Sequence, residues 1–170
     1  LKGEFLFDVS HSFVEFNIRH WVSNAKGTIS LDSGMVNFTG DTATSSVALV
    51  LSVRTVNTQN EGRDEHLLES DYFAADSFPR IHFDAKGFKS SDKPEFRYKT
   101  SGGLTMRGIT LPIDVYFNYV GEAKREGKPS IYAIEGESRI DRTSFKVGHE
   151  SKGLGSEVVV KFSAELKKKE

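Results

Sequence analysis

The chain has 170 residues, with 23 lysines plus arginines against 24 aspartates plus glutamates and no cysteine. That balance leaves no basic face for a phosphate backbone and argues against a nucleic-acid partner, while the lack of thiols excludes disulfides, thiol catalysis and zinc–thiolate sites. No apolar run approaches the roughly 18–20 residues of a membrane span, so stable membrane insertion is not expected.

Thirteen phenylalanines and 15 glycines beside only 4 prolines suit an antiparallel β protein, and the length suits one domain over residues 1–170. Glu4 to Asp8 reads as a short strand, and Val9-Ser10-His11-Ser12 as a polar break. Phe13 to Arg19 then alternates, with Val14, Phe16 and Ile18 on one face and Glu15, Asn17 and Arg19 on the other. His20 to Asn24 is a connector, Gly27 to Leu31 a strand, and Asp32-Ser33-Gly34 has the turn chemistry of a hairpin into Met35–Phe38. After a polar loop at 39–46, Val47 to Thr55 alternates again, with Val47, Leu49, Leu51 and Val53 facing inward.

The next stretch, Thr58 to Phe83, contains the one run that reads as helical. Thr58 and Glu61 stand at capping-box spacing, Glu61, Asp64 and Glu65 place negative charge near the positive end of the helix dipole, and Leu67 and Leu68 give one short apolar face. Such a face cannot hold a helix alone. The segment must dock, and Tyr72, Phe73 and Phe78 follow to help. Pro79 stops it, and Arg80-Ile81-His82-Phe83 resumes a strand, with His82 on the wet face. The reading is a short helical lid, near residues 61–70, across one opening of a barrel.

Further strands are expected over 96–106, 109–121, 131–140 and 158–164, with turns at Arg107-Gly108 and Glu122–Pro129. The fold class is therefore all-β: an antiparallel lipocalin-like barrel of about eight strands, closed so that no edge stays open. Eight strands enclose a space that side chains fill or that holds one slender ligand. Gly136 and Ser138, in phase with Ile134 and Ile140, leave room on an apolar inner face and favour the ligand. The inward set comprises Val14, Phe16, Ile18, Leu49, Leu51, Phe73, Ile81, Phe83, Leu104, Met106, Ile113, Val115 and Gly136.

Polar candidates are few. The five histidines show no metal-ligand spacing, and Ser144 lacks a nucleophile context, so neither a metal nor a catalytic residue is expected. Arg63, Asp64 and His66 offer either a clamp for a ligand headgroup or an Arg–carboxylate pair that holds the lid to the rim. Asp141 to Phe145 reads as a polar turn with Phe145 plugging the barrel end. Trp21 beside His20 fits a ligand-facing or a packing role equally.

The segments FDVSHSFVEFNIRH, TVNTQNEGRDEHLLESDYFAADSFPRIHF, GGLTMRGITLPIDV and IDRTSF, in order from about Phe7 to Val160, resemble the YceI-like family of bacterial lipid-binding proteins. The resemblance implies an extended barrel whose pore holds a polyisoprenoid, an isoprenoid quinone precursor or a similar amphiphilic lipid, with no further cofactor. It also implies secretion to the periplasm, while a cytoplasmic location stays open. A start at Leu1-Lys2-Gly3 fits removal of a signal peptide, and equally trimming. Pairing of two barrels into a homodimer is compatible with it.

His20, Arg63, Asp64, His66 and Arg142 match polar positions of the family pattern and are the candidates for the mouth. The family usually has glycine after Phe145, where this chain has Lys146, so the turn beside Arg142 is expected to differ. The expected function is a non-enzymatic carrier. Its alternatives are an enzyme using His66 with Asp64 on a lipid headgroup, and an interaction barrel with a filled core.

Overall fold

The structure, a computed structural model, describes every residue from Leu1 to Glu170. The strands are β1 (Gly3–His20), β2 (Ser23–Phe38), β3 (Ser46–Asn57), β4 (Arg80–Lys86), a two-residue β5 (Lys89–Ser90), β6 (Tyr98–Met106), β7 (Ile109–Arg125), β8 (Lys128–Asp141) and β9 (Leu154–Lys168). Eight of them form a ring in the order β4-β3-β2-β1-β9-β8-β7-β6, and the β4–β6 pairing closes it. Every pairing is antiparallel. Closure satisfies both edges of each strand and leaves the apolar faces turned toward one interior.

Strands are longer than the local chemistry suggests, because turn-forming residues here make bulges. The stretch Val9–Ser12 does not break β1. Pairing with β9 moves from Phe7↔Leu166 to Ser12↔Ala164, so four residues of β1 stand against one of β9, and Ser12 Oγ donates back to the Asp8 carbonyl. The expected hairpin at Asp32-Ser33-Gly34 is likewise absent. β2 continues through it, and the pairing with β3 steps from Leu31↔Leu51 to Ser33↔Val50. Both are β-bulges, which turn a strand without ending it. The charged turn expected over 122–129 shrinks to Glu126-Gly127, so β7 and β8 form a longer hairpin. Between β6 and β7, Arg107 and Gly108 both adopt positive φ, as a tight primed turn requires.

The helix α1 (Glu61–Leu67) follows β3 across one end of the ring. Its cap is Asn60, whose side chain accepts from the Arg63 amide at 2.9 Å, and not Thr58. Thr58 is instead buried and donates its hydroxyl to Asp64. After α1 the chain folds back on the helix, with Phe73 N donating to Leu67 O and Ala75 N to Leu68 O. Arg142–Phe145 form a single 3-10 turn at the same end, after β8.

Packed side chains occupy the two ends of the barrel. Toward the lid, Phe145, Val147 and Ala75 pack with Ile29, Val53 and Met106. At the far end Tyr98, Phe117, Phe88, Phe38, Phe5 and Tyr132 form a chain of ring contacts with centroids 5.0–6.0 Å apart. Four of these five contacts are edge-to-face, the geometry that aromatic quadrupoles favour. This aromatic floor closes the barrel at the end away from the lid.

Candidate functional site

Between the lid and the floor lies a cavity of about 550 Å³. Val14, Phe16, Ile18, Leu49, Leu51, Ile113 and Val115 all line it, and all remain half-buried. In a filled core such inward residues would be buried as fully as Phe5 or Leu166, which are each 1% exposed. Ile81, Phe83, Leu104 and Met106 line it from β4 and β6, and Phe73 closes it from the lid.

Gly136 is the exception among the expected lining residues. It faces no open space, because the Phe162 ring lies where its side chain would be. The room read from Gly136 is thus taken by an aromatic partner on β9. Val158, Val160 and Phe162 complete the wall. Their alternation puts all three on one side of the last strand, and that side faces the cavity.

The few polar groups of the cavity are satisfied within the wall. Thr100 Oγ1 donates to Gly87 O at 2.8 Å, and Ser138 Oγ to Asp114 O at 2.7 Å. Hydroxyls already spent on the backbone do not compete for a ligand, so the interior behaves as an apolar tube.

His20, Arg63, His66 and Arg142 line the lid end of the cavity, while Asp64 does not. Arg63 and Asp64 make no ion pair with each other; both close on Thr58. Asp64 Oδ1 accepts from Thr58 N (2.9 Å) and Oγ1 (2.6 Å), and Arg63 donates through Nε to Thr58 Oγ1 and through Nη2 to Thr58 O, each at 2.8 Å. The His66–Asp64 pair that the alternative enzyme reading would need does not form, because residues two apart on a helix point in different directions. His66 Nε2 lies 3.0 Å from Asp71 Oδ2, and this hydrogen bond holds the Asp71 carboxyl below the usual carboxylate range.

Arg142 is buried, and each of its donors goes to a backbone carbonyl: Nε to Gly155, Nη1 to Val147, and Nη2 to His149 and Leu154. It holds the loop from Val147 to Gly155 in place. The turn before it keeps a left-handed residue at Lys146, φ 57°, where a glycine would sit without strain. Asp141 caps that turn through Thr143, and the bond from the Thr143 hydroxyl lowers the Asp141 pKa.

Arg107, absent from the sequence candidates, donates to the carbonyls of Ser70, Tyr72 and Lys146. One guanidinium thus ties the lid, the 3-10 turn and the β6–β7 turn together. Two surface groups, Asp8–His11–Glu165 and His66–Glu69–Asp71, bring three ligand-type atoms within 4.8 Å. Asp8 is engaged with Ser10, His11 and Lys167, and His66 with Asp71 and Glu69.

A closed antiparallel barrel with an apolar cavity, an aromatic floor and a polar lid belongs to the class of lipocalin-like barrels. The sequence model of the YceI-like domain matches residues 5–166, and the chain belongs to that family. A UPF0312 protein of Staphylococcus aureus strain N315 is 31% identical over 95% of this chain and 96% of its own length. The Campylobacter jejuni YceI protein superposes with a TM-score of 0.73 at 25% identity, over 88% of each chain. A polyisoprenoid binding domain from Saccharophagus degradans superposes at 0.67 and 12% identity, over 97% of this chain and 98% of its own, which shows the shared fold.

Proposed function

We propose that the protein binds and carries, without chemistry, a long apolar chain of the polyisoprenoid class or a similar amphiphilic lipid in its barrel. The observation that carries this reading is the row of inward apolar residues left half-buried around a cavity inside the barrel. Exposed apolar surface inside a protein is costly unless something covers it. Membership of the YceI-like family supports the same reading, as does the fold shared with a domain described as polyisoprenoid binding.

The energetics favour a long ligand over a short one. Burying a methylene gains roughly 0.8 kcal/mol, so ten carbons give about 8 kcal/mol. Association costs about 4–15 kcal/mol, which a short tail does not offset and a long chain does.

The test is mass spectrometry of an organic extract from protein purified out of its native host. A prenyl or comparably long apolar chain, near one per barrel, is the expected result. Protein that yields no stoichiometric lipid, and that takes up none when offered prenyl chains, would show that the cavity serves another purpose.

A further inference from the structure

The tip between β1 and β2 carries the two most exposed large apolar side chains of the protein. His20 pairs with Ser23, so Trp21 and Val22 are the whole turn. Val22 is 94% exposed, and Trp21, itself well exposed, also lines the cavity. Trp21 holds φ at 51°, a conformation that two-residue turns give to glycine or asparagine and that a bulky residue adopts only under strain. Folding alone would be better served by Asn-Gly there, and strain of this kind gathers where a side chain is needed for function. The contact with Gly153 accounts for one face of the indole, but nothing in the fold covers Val22.

The surroundings of the tip are cationic. Arg19 and Lys26 alternate with Ile18, His20 and Ala25, which line the cavity, and so stand exposed on the outer face of the same hairpin. Lys152 is exposed on the loop against which the indole rests. None of these three cations enters an ion pair. Glu150 is the one carboxylate of that loop, so hairpin and loop together are net positive. The lid differs: Glu61, Glu65 and Glu69 are exposed on and just after α1.

We infer that the β1–β2 tip docks the protein on an anionic lipid bilayer, with Trp21 and Val22 entering the interface and Arg19, Lys26 and Lys152 facing lipid phosphates. The inference rests on the reading that the barrel takes an apolar chain, and it names the surface with which that chain is exchanged. An indole suits the headgroup layer, an apolar side chain suits the boundary below it, and cations suit an anionic leaflet. The acidic lid turns away from such a surface, so the approach is hairpin-first. A protein partner fits less well, because a stable interface buries about 800 Å² on each side and this turn offers two side chains. Trp21 touches cavity and bilayer at once, so a chain passes between them without crossing water. Two apolar side chains make a reversible anchor, which a carrier can leave.

The experiment separates docking from chain binding. Lipid-free protein is floated with vesicles of phosphatidylcholine alone, or of phosphatidylcholine mixed with phosphatidylglycerol. Uptake of geranylgeraniol is measured separately by equilibrium dialysis with no bilayer present. The mixed vesicles should bind the protein about tenfold more tightly than the neutral ones, and added salt should narrow the gap. Brominated acyl chains in the mixed vesicles should quench Trp21 emission. Val22→Asp, outside the cavity lining, should weaken flotation about tenfold and leave uptake in solution unchanged. Lys26→Gln with Lys152→Gln should remove the preference for the anionic vesicles.

A parent protein that ignores both vesicles while taking up geranylgeraniol overturns the docking and leaves the apolar-chain reading standing. Flotation without uptake does the reverse, and failure of both overturns both. Flotation that Val22→Asp does not weaken shows that another surface meets the bilayer, and the inference fails. A parent protein that stays off vesicles and elutes as a dimer, which Val22→Asp dissolves, gives the tip to a second copy and overturns the docking.

Discussion

The ring of Phe162 fills the place that a side chain at Gly136 would occupy. A Cβ built at Gly136 would stand 2.6 Å from Phe162 Cζ and 2.1 Å from the Tyr116 carbonyl oxygen. The two residues are direct partners across β8 and β9, so the glycine lets an aromatic ring lie over the sheet and point its edge into the barrel. Gly136→Ala should cost about 3 kcal/mol or more in urea unfolding, because the clash includes backbone that cannot move aside. Gly136→Phe, larger still, should fail to fold. Phe162→Ala removes the same crowding from the other side. It should cost about 3 kcal/mol, widen the cavity and admit a bulkier chain, which competition between straight and branched ligands would measure.

The lid depends on Arg107. Its guanidinium supports carbonyls of Ser70 and Tyr72 in the lid and of Lys146 after the 3-10 turn, two segments far apart in the sequence. Arg107→Met keeps the length of the side chain and removes the donors. Unfolding free energy should fall by about 2 kcal/mol, since hydrogen bonds to a charged donor are among the stronger ones. Amide exchange at Phe73 and Ala75, whose N–H groups close the lid onto α1, should quicken far more than in β1 or β9. Equal acceleration in lid and barrel would show that Arg107 holds the whole fold and not the lid.

Alternation made the barrel legible, since Val14–Ile18, Val47–Val53 and Ile81–Phe83 each show which face is dry. Turn chemistry misled where it met a ring of strands. Asp32-Ser33-Gly34 and Val9–Ser12 are good turn formers in isolation, but closure forces β1 and β2 to keep pairing, and the surplus residues become bulges. Thr58 at capping-box spacing lost its place to Asn60 because its hydroxyl serves Asp64 and Arg63 instead. Arg63 and Arg142 could be named from the sequence and Arg107 could not, and the partners of none of the three could. Backbone carbonyls carry no sequence signal, and those that Arg107 and Arg142 use come from distant loops.

Asp8 makes the stability of the barrel seam depend on pH. The Lys167 ammonium, with Ser10 and His11, holds its carboxyl well below the usual aspartate range. A depressed pKa in the fold means that the ionised form is the stabilising one. The contribution is fully present above the ordinary aspartate value of about 3.9, and it is lost as pH falls from there through the lower folded-state value. Asp8→Asn should lower the melting temperature at pH 7, and its deficit against the parent should shrink steadily below about pH 4. A deficit that is the same at pH 7 and at pH 2 would mean that Asp8 acts by shape and not by charge.

Trp21 offers a direct readout of the mouth because it is the single tryptophan of the chain. It lines the cavity, is 65% exposed at the β1–β2 tip, and donates its backbone N–H to Gly153 O at 2.8 Å. Its indole rests on Gly153 so closely that an added Cβ there would fall 2.4 Å from Trp21 Cε2. A chain that enters beside the indole removes water from it, so emission should shift to the blue and saturate at one ligand per barrel. Gly153→Ala should push the indole outward, shift the emission of the empty protein to the red, and speed ligand release in stopped-flow displacement. If saturating ligand leaves the emission of the parent protein unchanged, the chain enters elsewhere and the β1–β2 tip is not the rim of the port.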